Sequence, residues 1–102
     1  MKKERRIWGH YKVLYNDSYC KIKLLFIDIG KSISYQYHVH REEYWTLIQG
    51  CGNVILDETS FWIKTGDKMK INSNCSETKV KPKSSGISNE FSLEKTCHMR
   101  GV

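Results

Sequence analysis

The chain of 102 residues holds one proline, and its four cysteines are spread singly. Cys20, Cys51, Cys75 and Cys97 form no CxxC or CxxxC pair, which argues against a thiolate zinc site and leaves free, largely buried thiols as the expectation. No stretch approaches the ~20 apolar residues of a membrane span. The charged start MKKERR is not followed by an apolar run, so neither a signal peptide nor an anchor is expected and the chain is assigned to the cytoplasm. Internal repeats and low-complexity tracts are absent, and the length suits one domain over residues 1–102 with a modest core. The polar stretch from Lys81 to Gly86, which carries the proline, reads as a loop and not as a linker.

What the chain has in excess is positive charge. The net charge is +6, concentrated in Met1 to Arg6 and in Lys79 to Lys83. Neither an aromatic RNA-binding motif nor a helix-turn-helix pattern accompanies it, so no nucleic-acid partner is expected. A basic rim would suit a phosphorylated ligand, and otherwise the lysine-rich ends are solvated surface.

Patterning points to strands nearly throughout. Tyr11 to Tyr15 and Tyr19 to Ile29 read as a hairpin about Asn16-Asp17-Ser18. Ile33 to His40 alternates with period two, Tyr44 to Ile48 is an apolar run of the buried-strand type, and Gly50-Cys51-Gly52 supplies a bend. Asn53 to Leu56 and Ser60 to Ile63 form a second hairpin, with Lys68 to Ile71 a short strand after Thr65-Gly66-Asp67. Strands at ~8 to 12 residue spacing predict an all-β sandwich or closed barrel of the jelly-roll type. Helix is confined to a turn or two over Leu93 to Arg100. Trp8, Trp45 and Trp62 are most simply packing residues of the core or barrel mouth, with an aromatic wall for a sugar ring as the other reading.

Side chains two apart on a strand share a face, so Gln36, His38 and His40 would project together into a barrel lumen, with Glu43 following after a turn. Imidazole, amide oxygen and carboxylate make a mixed N/O donor set. It suits one divalent ion, Zn2+ first, with Mn2+, Co2+ or Fe2+ as alternatives.

These residues carry a resemblance to the cupins. Gly30, Gln36, His38, Glu43 and Gly50 fall at the spacing of the first cupin motif, with glutamine in place of its first histidine. Within the cupins the chain resembles the type II mannose-6-phosphate isomerase domain, the module often fused behind a mannose-1-phosphate guanylyltransferase. Arg6-Ile7-Trp8-Gly9-His10-Tyr11-Lys12-Val13-Leu14 is similar to that family's opening R-P-W-G-x-Y-x-V-L, and His38-Val39-His40-Arg41-Glu42-Glu43-Tyr44-Trp45 to its H-x-H-R-x-E-H-W. The second motif, which would begin at Gly66, is altered: Asn72, Asn74, Glu77 and Lys81 take the places of its proline, glycine, histidine and asparagine. Glu77 therefore stands where a fourth ligand, normally histidine, is expected. The family's closing E-D-D-I-x-R has a faint echo in Leu93 to Arg100.

The resemblance implies a metal-dependent isomerase interconverting mannose 6-phosphate and fructose 6-phosphate by proton transfer through an enediol. The ion would be held by Gln36, His38, Glu43 and Glu77. His40 would shuttle the proton, Arg100 would take the family's catalytic arginine position, and Arg6, Arg41 and Lys68 would bind the sugar phosphate. A homodimer is expected, since a partner commonly covers the strand edges of small barrels. Two other readings stay open: a catalytically impaired cupin that binds a sugar or sugar phosphate, and a cupin of other metal chemistry, an epimerase or a dioxygenase.

Overall fold

The computed structural model describes residues 3–36, 41–71, 77–83 and 90–99, the side chains of Tyr35, Gln36, Arg41, Glu77, His98 and Met99 excepted. Both expected hairpins form. Strand β1 (Lys3–Arg6) leads into β2 (Gly9–Asn16), and β2 turns into β3 (Cys20–Ile27). The Asp17 carboxylate accepts the backbone N–H groups of Tyr19 and Cys20, both at 2.8 Å. This Asx-type closure is the reason aspartate belongs in that turn. The second hairpin joins β6 (Cys51–Leu56) to β7 (Thr59–Lys64), with Asp57 at φ 54° in the left-handed region that Asp tolerates better than most residues.

The remaining strands are β4 (Ile33–Gln36), β5 (Arg41–Gln49), β8 (Lys68–Ile71), β9 (Glu77–Lys83) and β10 (Ser92–Met99). They complete two antiparallel sheets, one of six strands in the order β1-β2-β3-β10-β5-β8 and one of four in the order β4-β9-β6-β7. In each, a late strand is inserted between earlier ones, the mark of a jelly roll. Leu25, Ile27, Trp45, Leu47, Ile71 and Leu93 of the larger sheet meet Ile33, Val54, Ile63 and Val80 of the smaller, with Phe91 beside them. Val54 and Val80 are wholly buried.

Gly50, which closes the first motif, has φ 109°, and a Cβ there would lie 2.6 Å from the Glu90 carbonyl oxygen. Two residues on, a Cβ at Gly52 would meet the Lys81 carbonyl oxygen at 2.5 Å and the Pro82 Cα at 2.9 Å. Glycine at these positions lets the bend from β5 into β6 press against neighbouring backbone.

Four expectations need correction. Leu93 to Arg100 is not a helical turn: through Met99 it is β10, the strand held between β3 and β5. Leu, Glu and Lys favour helix locally, but two ladders outweigh that propensity. Lys81 and Pro82 belong to β9 and not to a loop. The β4 ladder ends at Val80, so the proline, which has no N–H to donate, sits where β9 has β6 as its one neighbour. Finally, β5 is one-sided: Glu43, Trp45 and Leu47 are buried, whereas Tyr44 and Ile48 are exposed. Trp62 is exposed as well, which removes it from the core. Among the described residues there is no helix, and none long and apolar enough to cross a membrane.

Candidate functional site

Residues directly opposite one another in adjacent strands project to the same face, so the register of the larger sheet arranges its inner face in rows. The lowest runs Glu4, Tyr11, Leu25, Leu93, Leu47. The next runs Val13, Lys23, Lys95, Trp45, Met69. The highest runs Asn16, Lys21, Cys97, Glu43, Ile71. The same alternation that packs Leu25, Leu93 and Leu47 into the core thus delivers Lys23, Lys95, Lys21 and Glu43 to the lumen above it.

Lys95 is 3% exposed and Glu43 6%, burial that charged side chains reach only in company. Their partners are visible. Lys95 Nζ lies 3.0 Å from Glu43 Oε1, and the Trp45 indole Nε1–H donates to the same oxygen at 3.0 Å. Trp45 is itself 1% exposed, so its ring walls the carboxylate from the core while its N–H orients it. Lys23, directly opposite Lys95, lies 4.7 Å from the centroid of the Tyr11 ring. Arg6 approaches the same ring at 5.2 Å and donates from a guanidinium nitrogen to the Tyr11 hydroxyl at 3.2 Å. Trp8 stacks on Tyr11 at 6.4 Å between centroids. Like charges opposite one another destabilise a sheet pair, and in the Lys23–Lys95 juxtaposition the Lys95 charge is met by Glu43.

The sequence-predicted residues distribute unevenly. Glu43 faces the lumen, and Arg6 lies at its edge on Tyr11. Lys68 does not belong to the lumen: on β8, Met69 and Ile71 turn inward, while Lys68 and Lys70 are exposed on the opposite face. Gln36 and Glu77 are backbone partners at the ends of β4 and β9. That register brings the glutamine of the first motif level with the glutamate of the altered second. The side chains of Gln36, Glu77 and Arg41, and residues His38, His40 and Arg100 entirely, lie outside the described residues. Lys95 and Lys23 were missed by sequence reasoning because a lysine on an amphipathic strand reads as its solvent side. The available signal was Leu93-x-Lys95-x-Cys97, an apolar alternation continued through a charge.

Of the expected ligand set, Glu43 has the described side chain, and as it stands it does not fit a divalent ion. Its Oε1 is held by an ammonium and an indole N–H. A divalent ion within ~5 Å of that ammonium would meet roughly 7 kcal/mol of repulsion at an effective dielectric of about 20. Among the described residues no three His, Cys, Asp or Glu side chains converge on one point. Of the thiols, Cys20 and Cys51 are half-buried and Cys97 is buried, while Cys75 lies outside the described residues.

A concavity of about 710 Å³ opens elsewhere, lined by His10, Lys12, Phe26, Asp28, Glu90 and Phe91 among others. His10 stacks on Phe26 at 4.5 Å. Burial, and then the charges of Lys3, Arg5 and Lys12, hold its imidazole below the ordinary histidine pKa, against a weaker opposite pull from Asp28. None of the lumen lysines lines this cleft.

Two stacked antiparallel sheets in jelly-roll order with a polar lumen define a cupin domain, and solved structures agree. The cupin domain of Cnp3 from Schizosaccharomyces pombe superposes with TM-score 0.74 at 13% identity, over 88% of this chain and 64% of that one. A putative sugar phosphate isomerase from Acidithiobacillus ferrooxidans superposes with TM-score 0.68 at 17% identity, over 78% and 50%. Within the cupins, the chain belongs to the family described as mannose-6-phosphate isomerase C-terminal, whose model matches residues 1–85. A mannose-1-phosphate guanylyltransferase of Sinorhizobium fredii is 32% identical over 53 residues, 52% of this chain and 10% of that protein. The matched part of the chain therefore spans about a tenth of the length of that relative.

Proposed function

We propose that this cupin domain binds a hexose 6-phosphate in its lumen and interconverts mannose 6-phosphate with fructose 6-phosphate. The observation that carries the reading is the polar upper part of an otherwise apolar barrel, where Lys21, Lys23 and Lys95 share a face with the buried Glu43. Membership of the mannose-6-phosphate isomerase C-terminal family supports the substrate class. Aldose–ketose interconversion removes the proton from C2, passes through an enediol and returns a proton to C1, so the site must hold a base and stabilise a developing oxyanion. The cationic lumen supplies the second requirement, with Arg6 on the Tyr11 shelf and Arg41 at the start of β5 as phosphate ligands. His40 is the proton shuttle in this reading, and Arg100 takes the role of the catalytic arginine.

A coupled assay converting mannose 6-phosphate to fructose 6-phosphate, run beside calorimetric titration, tests the proposal. Turnover that is lost in His40→Gln is the expected result. Absence of both turnover and binding would refute it. The altered second motif, with Asn72, Asn74, Glu77 and Lys81, favours a second reading in which the domain binds the sugar phosphate without turning it over. Binding of mannose 6-phosphate without turnover selects that reading.

A further inference from the structure

We propose that the Lys95 ammonium is the resident cation of this lumen, holding at Glu43 the place that the first motif would give to a divalent metal ion. Lys95 and Glu43 are 3% and 6% exposed and meet at 3.0 Å. A buried ion pair of this kind is costly to break, because removing either partner strands the other charge in a dry interior. The ammonium is delivered by β10, a strand with a ladder on both sides, so its position is set by the most constrained part of the larger sheet. Trp45 donates to the same carboxylate oxygen at 3.0 Å, which fixes the orientation of Glu43 toward Lys95. The second motif has glutamate, Glu77, where its ligating histidine belongs, so the donor set has also lost an imidazole. The inference goes beyond the proposed activity and does not depend on the identity of the lumen's ligand.

The test uses the full chain, stripped with chelator, dialysed and titrated calorimetrically with Mn2+ and with Co2+. The visible absorption of Co2+ reports coordination directly. The wild-type chain is expected to show no saturable binding that Glu43→Gln removes. Lys95→Met, which keeps the stem and deletes the charge, is expected to gain a site at least about tenfold tighter, and the double variant Lys95→Met/Glu43→Gln to lose it. Where Lys95→Met does not fold alone, refolding restored by Mn2+ is the same gain read as stability. Where it folds under neither condition, the wild-type titration decides. One equivalent of Mn2+ or Co2+ on the wild-type chain, abolished by Glu43→Gln, overturns the proposal. So does a folded Lys95→Met chain with no gain in affinity.

Discussion

The two sheets present unlike inner faces to the same interior. The four-stranded sheet contributes Ile33, Val54, Ile63 and Val80 and the buried hydroxyl of Thr78, whereas the six-stranded sheet contributes Leu25, Leu47 and Leu93 and then, further along the same strands, Lys23, Lys95 and Glu43. Among the described residues the first face is a packing surface. The second changes from apolar packing to buried charge within two residues of one strand, from Leu93 to Lys95. A barrel of this size can therefore be stabilised by one wall and functionalised by the other, and substitutions on the two walls have different consequences.

The sharpest way to break that contrast is at the ion pair. Lys95→Met leaves Glu43 buried without its ammonium and is expected to destabilise the fold by about 3–5 kcal/mol, while Glu43→Leu/Lys95→Met together recover most of it. Denaturant unfolding of the two single variants and the pair measures this. On the opposite wall, Ile63→Ala removes a side chain 4% exposed and is expected to cost about 2–5 kcal/mol. Affinity for mannose 6-phosphate should be unchanged once the protein is folded, as calorimetry below the melting temperature would show. Lys23→Met is expected to invert that profile, with an unfolding midpoint near wild type and affinity reduced about tenfold, worth ~1.4 kcal/mol. Lys68→Met, on the outer face of the same sheet, should leave both unchanged.

The smallest effect concerns pH. The His10 imidazole titrates below its ordinary value of 6.5, chiefly through burial. The unfolded chain therefore takes up this proton first as pH falls, and the contribution of His10 to stability, present above 6.5, is lost through its folded pKa. His10→Gln should flatten that part of the acid limb in melts recorded from about pH 7 to 5.

Much of the wall-like structure was readable from residue order. Asp17 and Asp57 mark the hairpin turns, and the alternation of Val54, Ile63 and their neighbours marks strands, because local turn chemistry and period-two burial act over a few residues. Strand β10 escaped because Lys95 breaks the apolar alternation, and Leu and Glu beside it favour helix. What holds it extended is pairing with β3 and β5, residues distant in the chain. Glu43 was identifiable from its spacing after Gln36 and His38. Its actual partner was not, since the Lys95 contact joins two positions 52 residues apart by chain number (95 minus 43) and exists only when β10 lies beside β5. Pro82 misled in the opposite sense, as its place in β9 depends on where the β4 ladder stops.

The central claim is that ligand chemistry occurs on the inner face of the six-stranded sheet, at the Lys95–Glu43–Trp45 cluster. The chain's three tryptophan indoles are natural reporters. In a 1H–15N titration with mannose 6-phosphate after chelator treatment, the Trp45 indole resonance should move in a saturable manner while that of exposed Trp62 stays in place. A Trp45 signal that does not respond to the sugar phosphate at saturating concentration would contradict the account.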